Sequence, residues 1–241
     1  TGSEQKGPWL ITCDHARNHV PSAMNSKSLG LPAKEMHRHI AYDIGAEGLS
    51  LALGLLLQAP VLCSNFSRLV IDPNRGEDDP TLLMKLYDGT IIPTNRHADA
   101  TEVTRRLDAY YRPYHQAYAK LATPIRAIIA IHSFTPQLKG RQPRPWEIGI
   151  LFAKDRRLAE PTIAGLQSRG DLTVGTNEPY DGHLPGDSID QHALRNGRLN
   201  ILIEVRNDLI ESSKGQQAWA RLLAPILQQA LASTKTSKAG E

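Results

Sequence analysis

The chain has 241 residues, 28 Lys and Arg against 25 Asp and Glu, and a formal net charge of +3. At 40% hydrophobic and 22% charged residues, its composition is that of a globular chain with a full core and excludes wholesale disorder. A surplus this small, with no Lys/Arg block, argues against a nucleic-acid partner, and the longest oily stretch, 49–57, is about half of what a membrane helix needs.

In chain order, Trp9–Cys13 is a short apolar run stopped by Asp14-His15 and reads as a strand. Asp43 stands where it can cap a helix over 44–58, since a carboxylate there accepts a bond from an orphan helix N–H. Segments 60–63 and 68–71 have strand composition, the second ending at Asp72-Pro73-Asn74. A helix is predicted over 102–121, with Pro113 expected to kink or split it. Segment 125–131 is almost wholly apolar and reads as a strand ended by His132-Ser133; 147–152 and 200–205 read the same way. Near-continuous aliphatic runs are expected of strands covered on both faces. Further helices are predicted over 156–168 and 216–231. Two Pro-punctuated loops, 136–145 and 175–187, are long enough to be functional, and the polar tail 233–241 is expected to fray. No linker divides the chain, so the expectation is one α/β domain over 1–241, a sandwich with a mostly parallel sheet. The cysteines, Cys13 and Cys63, form no disulfide framework; with no readable signal peptide, a reducing, cytoplasmic setting is expected.

Ligands of open α/β sheets bind outside the carboxyl ends of the strands. The polar residues expected there are Asp14-His15, then Asp72 with Asn74 and Arg75, then His132-Ser133, then Glu204 with Arg206. Histidine, carboxylate and arginine at several strand ends point to a metal or general-base site. His15 by itself reads better as a loop histidine satisfied by a backbone carbonyl. Glu204 sits inside Ile-Leu-Ile-Glu-Val, where a buried carboxylate costs several kcal/mol unless paired, protonated or metal-bound. Its structural alternative is an ion pair with Arg206 or Arg68. The planar forks of Arg68 and Arg75 suit a carboxylate, although Glu77, Asp78 and Asp79 stand ready to neutralise Arg75. Asp72 reads as a turn residue. Tyr110, Tyr114 and Tyr118 recur at helical spacing and read as core packing, with Tyr111 and His115 beside them open to either role.

These segments, in this order, resemble the N-formylglutamate amidohydrolase family, a branch of the zinc-carboxypeptidase-like hydrolases. The likeness rests on Thr12-Cys13-Asp14-His15-Ala16-Arg17-Asn18, Tyr42-Asp43-Ile44-Gly45-Ala46 and Ser67-Arg68-Leu69-Val70-Ile71-Asp72-Pro73-Asn74-Arg75. It continues in Tyr111-Arg112-Pro113-Tyr114-His115, Ile131-His132-Ser133-Phe134, Asn177-Glu178-Pro179-Tyr180-Asp181-Gly182 and Ile203-Glu204-Val205-Arg206-Asn207-Asp208.

The resemblance implies a three-layer α/β sandwich with a mixed, mostly parallel sheet. It implies a metal-dependent amidohydrolase removing an N-formyl or other N-acyl group from an amino acid such as N-formylglutamate. His15 and His132 resemble the zinc histidines. The relatives place a glutamate three residues after the first histidine; here Asn18 stands there, leaving Asp43 or Asn18 as the third ligand. Glu204 resembles the general base, Arg68 the arginine at the oxyanion, and Asn74 with Arg75 the pair holding the substrate carboxylate. The expected cofactor is a divalent metal, zinc before iron or manganese. The expected partner is a small N-acyl amino acid, with neither nucleic acid nor membrane. Loop 177–187 is a candidate cover for the acyl group, and His183 or His192 could serve an aromatic or acidic side chain. The rivals are a carboxypeptidase-like or other N-acyl amino acid hydrolase, and a non-catalytic carboxylate-binding module on the same fold.

Overall fold

A computed structural model describes residues 7–24 and 26–236. The elements run β1 (Trp9–Cys13), α1 (Ala46–Leu57), β2 (Val61–Cys63), β3 (Leu86–Tyr87), β4 (Thr90–Ile91), α2 (Pro93–Arg96), α3 (Ala100–Arg106), α4 (Arg112–Ala122) and β5 (Ala127–Phe134). They continue with β6 (Ile148–Leu151), α5 (Ala159–Gln167), β7 (Val174–Thr176), α6 (Ser188–His192), β8 (Leu199–Arg206) and α7 (Ser213–Thr236). Six strands form the main sheet in the order β2-β1-β5-β8-β6-β7, and β3 and β4 form a separate antiparallel pair. The strands β2, β1, β5 and β8 are parallel; β6 runs against β8 and carries β7 parallel to itself.

Side chains of the central strands alternate between two apolar layers, as the period of two requires. Ile11, Ile129 and Ile203 pack with Leu53 of α1, Leu166 of α5 and Leu223 of α7 on one face. Leu10, Ile128 and Ala130 pack on the other with Tyr114 and Tyr118 of α4 and the buried segment Leu69-Val70-Ile71. Each such aliphatic burial contributes roughly 1.5–3 kcal/mol, which holds the parallel strands with their carboxyl ends side by side.

Several elements differ from the sequence expectation. Segment 68–71 is a turn; it is apolar because Leu69, Val70 and Ile71 are fully buried, and hydrophobicity alone does not separate a buried turn from a strand. β5 does not stop at His132-Ser133 but runs through them to Phe134. Asp43 is not the cap of α1. Gly45 occupies that place at φ 80°, with no side-chain cap bond, while the Asp43 carbonyl accepts from Ala46 N at 3.1 Å and frees the carboxylate to point elsewhere. A Cβ on Gly45 would stand 2.1 Å from the Ile210 carbonyl oxygen, so only glycine fits. The helix predicted over 102–121 is split, as Pro113 demands: a π turn over 107–111 joins α3 to α4, whose first turn holds the proline. The edge strand β7 is too short to be legible. α7 runs on to Thr236, so helix continues past 233, where fraying was expected; 237–241 lie outside the described residues.

Candidate active site

The carboxyl ends of β1, β5 and β8 meet over one spot. Asp14 and His15 directly follow β1, while His132 and Glu204 are register partners in β5 and β8. Asp43 comes from the segment before α1, its N–H donating to the His15 carbonyl at 2.9 Å. Its Oδ2 lies 2.8 Å from His132 Nδ1 and 3.2 Å from His15 Nδ1. These three buried residues offer ligand atoms all within 4.8 Å of one another.

The far nitrogen of each ring faces a second carboxylate. His15 Nε2 lies 2.7 Å from Asp72 Oδ1. His132 Nε2 lies 3.6 Å from Asp14 Oδ2 and has no hydrogen-bond partner among the described residues. Asp72 also accepts from Arg68 Nε and Nη2 at 3.1 and 2.7 Å and from Asn74 N at 2.9 Å. It is therefore more than the turn residue the sequence suggested. Asp14, fully buried, accepts from the Tyr114 hydroxyl at 2.5 Å and the Ser188 hydroxyl at 2.6 Å. An imidazole backed by a carboxylate is the usual way a protein fixes the tautomer and orientation of a metal-binding histidine.

Glu204 is 6% exposed, and its Oε2 has no hydrogen-bond partner among the described residues. Neither alternative ion pair forms: Arg206 pairs with Asp208 at 2.9 Å, and Arg68 with Asp72 at 2.7 Å. Burial pushes the Glu204 carboxyl up to about 7, against the opposing charge of His132. Burial also works to raise Asp43, yet the charge of His15 and the bonds from His132 and His15 hold it well below the usual carboxylate range. For His132 burial works against charge, but the Asp14 and Asp43 carboxylates raise it well above its ordinary value. The site is thus a nest of buried ionisable groups in which Glu204 Oε2 has no hydrogen-bond partner among the described residues.

A cavity of about 260 Å³ opens over these groups. Arg68, Asn74 and Arg75 line it, and loop 177–187 adds Tyr180, Asp181, His183 and Asp187 to its wall. That loop seats closely on β6: Asn177 Oδ1 accepts from Phe152 N at 2.9 Å, and a Cβ on Gly182 would stand 2.3 Å from the Phe152 carbonyl oxygen. Arg75 escapes its acidic neighbours. Glu77 pairs with Arg112 at 2.8 Å, and Arg75 donates to Thr81 Oγ1 and the Asn74 carbonyl, with no ion pair among the described residues. Asn74 Oδ1 accepts from Ser188 Oγ at 3.0 Å. Arg68 keeps Nη1 3.5 Å from Asp43 Oδ1. Asn18 does not join the cluster; its amide donates to the Met36 carbonyl at 2.8 Å. His192 is also elsewhere, 2.8 Å from His115 Nδ1 and stacked on Tyr118.

Sequence reasoning placed Asp14 at a strand end without giving it a role, and passed over Tyr114 and Ser188 as members of the site. The signal for Asp14 was present, a carboxylate adjoining a strand-end histidine. For Tyr114 and Ser188 there was none, because each is defined by a partner 100 or 174 residues away.

The sequence profile described as N-formylglutamate amidohydrolase matches residues 7–211. No curated protein matches the chain significantly. Among solved structures, a gene product of Agrobacterium tumefaciens is similar at 35% identity and a TM-score of 0.91, over 98% of this chain and 94% of that one. The N-formylglutamate amidohydrolase from Ralstonia eutropha aligns at 22% identity and a TM-score of 0.71, over 99% and 97% of the two chains. The CwlD amidase from Clostridioides difficile, solved in complex with the GerS lipoprotein, aligns at 12% identity and a TM-score of 0.50, over 94% and 99%. The last two bear on the fold alone, a mixed α/β sheet of the amidase kind. With the profile spanning most of its length, the chain belongs to the N-formylglutamate amidohydrolase family.

Proposed function

We propose that this amide hydrolase is a metal-dependent, single-domain enzyme that removes an N-formyl or related N-acyl group from an amino acid, N-formylglutamate being the leading substrate. The observation that carries the reading is the convergence of His15 Nδ1, His132 Nδ1 and Asp43 Oδ2 beside Glu204, whose Oε2 has no hydrogen-bond partner among the described residues. Two imidazoles and a carboxylate fit a divalent cation, zinc by their donor chemistry, with room left for water and substrate. Asp72 and Asp14 orient the two rings from behind. When bound, such a cation polarises the acyl carbonyl and lowers the pKa of water from about 15.7 toward about 7.

The chain's own groups do the rest. Glu204 takes a proton from the attacking water at Oε2 and returns it to the departing amine, a role suited to a carboxyl held near 7 by burial. Arg68, anchored by Asp72, turns Nη1 toward the developing oxyanion; one such donor is typically worth about 3 kcal/mol. Arg75, with no ion pair among the described residues, binds the amino acid's carboxylate together with Asn74, whose amide Ser188 steadies. The free thiols Cys13 and Cys63 suit a cytoplasmic setting, and no helix of the described residues is long and apolar enough to cross a membrane.

The test is metal analysis of the purified protein, then product release from N-formyl-L-glutamate, its N-acetyl analogue and a dipeptide. The expected outcome is one tightly held divalent ion and fastest turnover on the formyl compound, abolished by a chelator. Undiminished turnover after metal removal, or preferred cleavage of the dipeptide, would overturn the reading.

A further inference from the structure

The chain's two cysteines, 50 positions apart in sequence, face each other across the edge of the main sheet. Cys13 ends β1, Cys63 ends the edge strand β2, and the two are register partners. Register partners on parallel strands project to the same face. Both thiols meet the same apolar layer, Cys13 fully buried within it and Cys63 packed on it and half-buried. Paired strands lie about 4.7–4.9 Å apart, inside the roughly 4.4–6.8 Å Cα separation that a disulfide accepts. Neither sulfur has a part in the hydrolytic site.

The geometry points to an oxidisable dithiol, in which Cys63 reacts with a small hydroperoxide, Cys13 resolves it to a disulfide, and closure of that bridge switches the neighbouring hydrolytic site off. Solvent reaches Cys63 first because β2 is the edge strand. A bond from Cys13 and the nearby Arg17 charge hold the Cys63 thiol below its ordinary value, against burial and Glu47, which favours the nucleophilic thiolate. That thiolate attacks the terminal oxygen of the hydroperoxide. The O–O bond breaks, the alcohol leaves, and Cys63 becomes a sulfenic acid. The Cys13 sulfur then attacks the Cys63 sulfur; the S–O bond breaks and water departs with the Cys13 proton. Two thiols are oxidised to one disulfide, and one hydroperoxide is reduced to alcohol and water.

The consequence for activity rests on the function proposed above. A disulfide draws its Cβ atoms to about 3.5–4.5 Å, closer than the strands otherwise sit. His15 is two residues beyond Cys13. The strand ends are tied by Ser64 N to the Cys13 carbonyl at 3.1 Å and by Ala16 N to Ser64 Oγ at 3.2 Å. The pull therefore arrives at a ring clamped between Asp43 and Asp72. A misplacement of about 1 Å in such a site costs about 10²-fold in rate.

The metal-loaded enzyme is treated with tert-butyl hydroperoxide, quenched with N-ethylmaleimide, and followed by intact mass, peptide mapping and amide hydrolysis. The expected product is unlabelled, lighter by two hydrogens, with the Cys13 and Cys63 peptides linked. Its hydrolysis is slowed about 10²-fold and restored by dithiothreitol. Cys63→Ser, with Cys63→Ala should the first variant fold poorly, hydrolyses at the wild-type rate, forms no link and resists the peroxide. Two labelled thiols after treatment of the wild type would overturn the dithiol, a readout independent of whether the hydrolase assignment holds. A bridged protein with undiminished activity, or equal inactivation of the Cys63 variant, would overturn the switch.

Discussion

At position 204 a carboxylate is held in an apolar strand with Oε2 unbonded among the described residues, and the charges of His132 and Arg68 offset only part of its burial. Buried carboxyls perturbed in this way cluster at functional sites, which fits the base role proposed for Glu204. Glu204→Gln keeps the shape and removes the proton acceptor. Turnover is expected to fall by about 10²–10⁴-fold while the protein still binds its metal, as read by steady-state kinetics beside metal analysis. A Gln variant of near wild-type rate would take the base role away from Glu204. Arg75 makes a different demand on experiment. It lines the cavity and makes no ion pair among the described residues, so Arg75→Ala should raise KM for N-acyl amino acids by about 10–100-fold, the value of a charged hydrogen bond. Neutral N-acyl amides should be unaffected; equal losses on both classes would break the assignment. Asp72 is bonded to His15 and, in the metal site proposed, orients its ring, so Asp72→Asn should weaken metal affinity by about 10–100-fold, measured by competition with a chromogenic chelator.

Among the elements, the entry to α1 decides where Asp43 goes. An ordinary cap would have turned the Asp43 carboxylate back onto the helix N–H groups. Because Gly45 takes the left-handed turn instead, the chain enters the helix two residues later and the carboxylate reaches both histidines. Gly45→Ala would suffer both the unfavourable φ and collision with the Ile210 carbonyl. The expectation is a loss of several kcal/mol in unfolding stability together with weakened metal binding, since Asp43 lies on the displaced segment. Thermal unfolding with and without metal checks it; an alanine variant with unchanged melting and affinity would show that the turn is not required.

For the molecule as a whole, the buried charges make the metal-free protein's stability depend on pH from both sides. Asp43 and Asp72 are held below their ordinary values, so what they contribute is present above the usual carboxylate range and lost as pH falls through their folded values. Glu204 has the opposite sign. Its folded value of about 7 lies above the ordinary 4.5, so its contribution is whole below about 4.5 and lost as pH rises through about 7. The metal-free wild type should therefore lose stability relative to Glu204→Gln across that interval, by a few kcal/mol at most. Parallel melting profiles of the two proteins over the same range would contradict the buried, protonated carboxyl.

Much of the framework was legible in the primary structure because it follows from local rules. Unbroken aliphatic runs mark strands covered on both faces, Pro113 marks a break in a helix, and His132 and Glu204 stand out as polar residues inside such runs. Segment 68–71 misled for the same reason: burial leaves one composition on a strand and on a turn packed against the core. What composition could not carry is partnership across long separations. Whether Asp43 caps a helix or faces two histidines depends on a glycine beside Ile210, and Asp14 is completed by hydroxyls from α4 and α6. Periodicity is a property of neighbours along the chain. Hydrogen-bond and charge partners are chosen only when the packed layers bring strand ends and helices together, and that choice belongs to the tertiary structure.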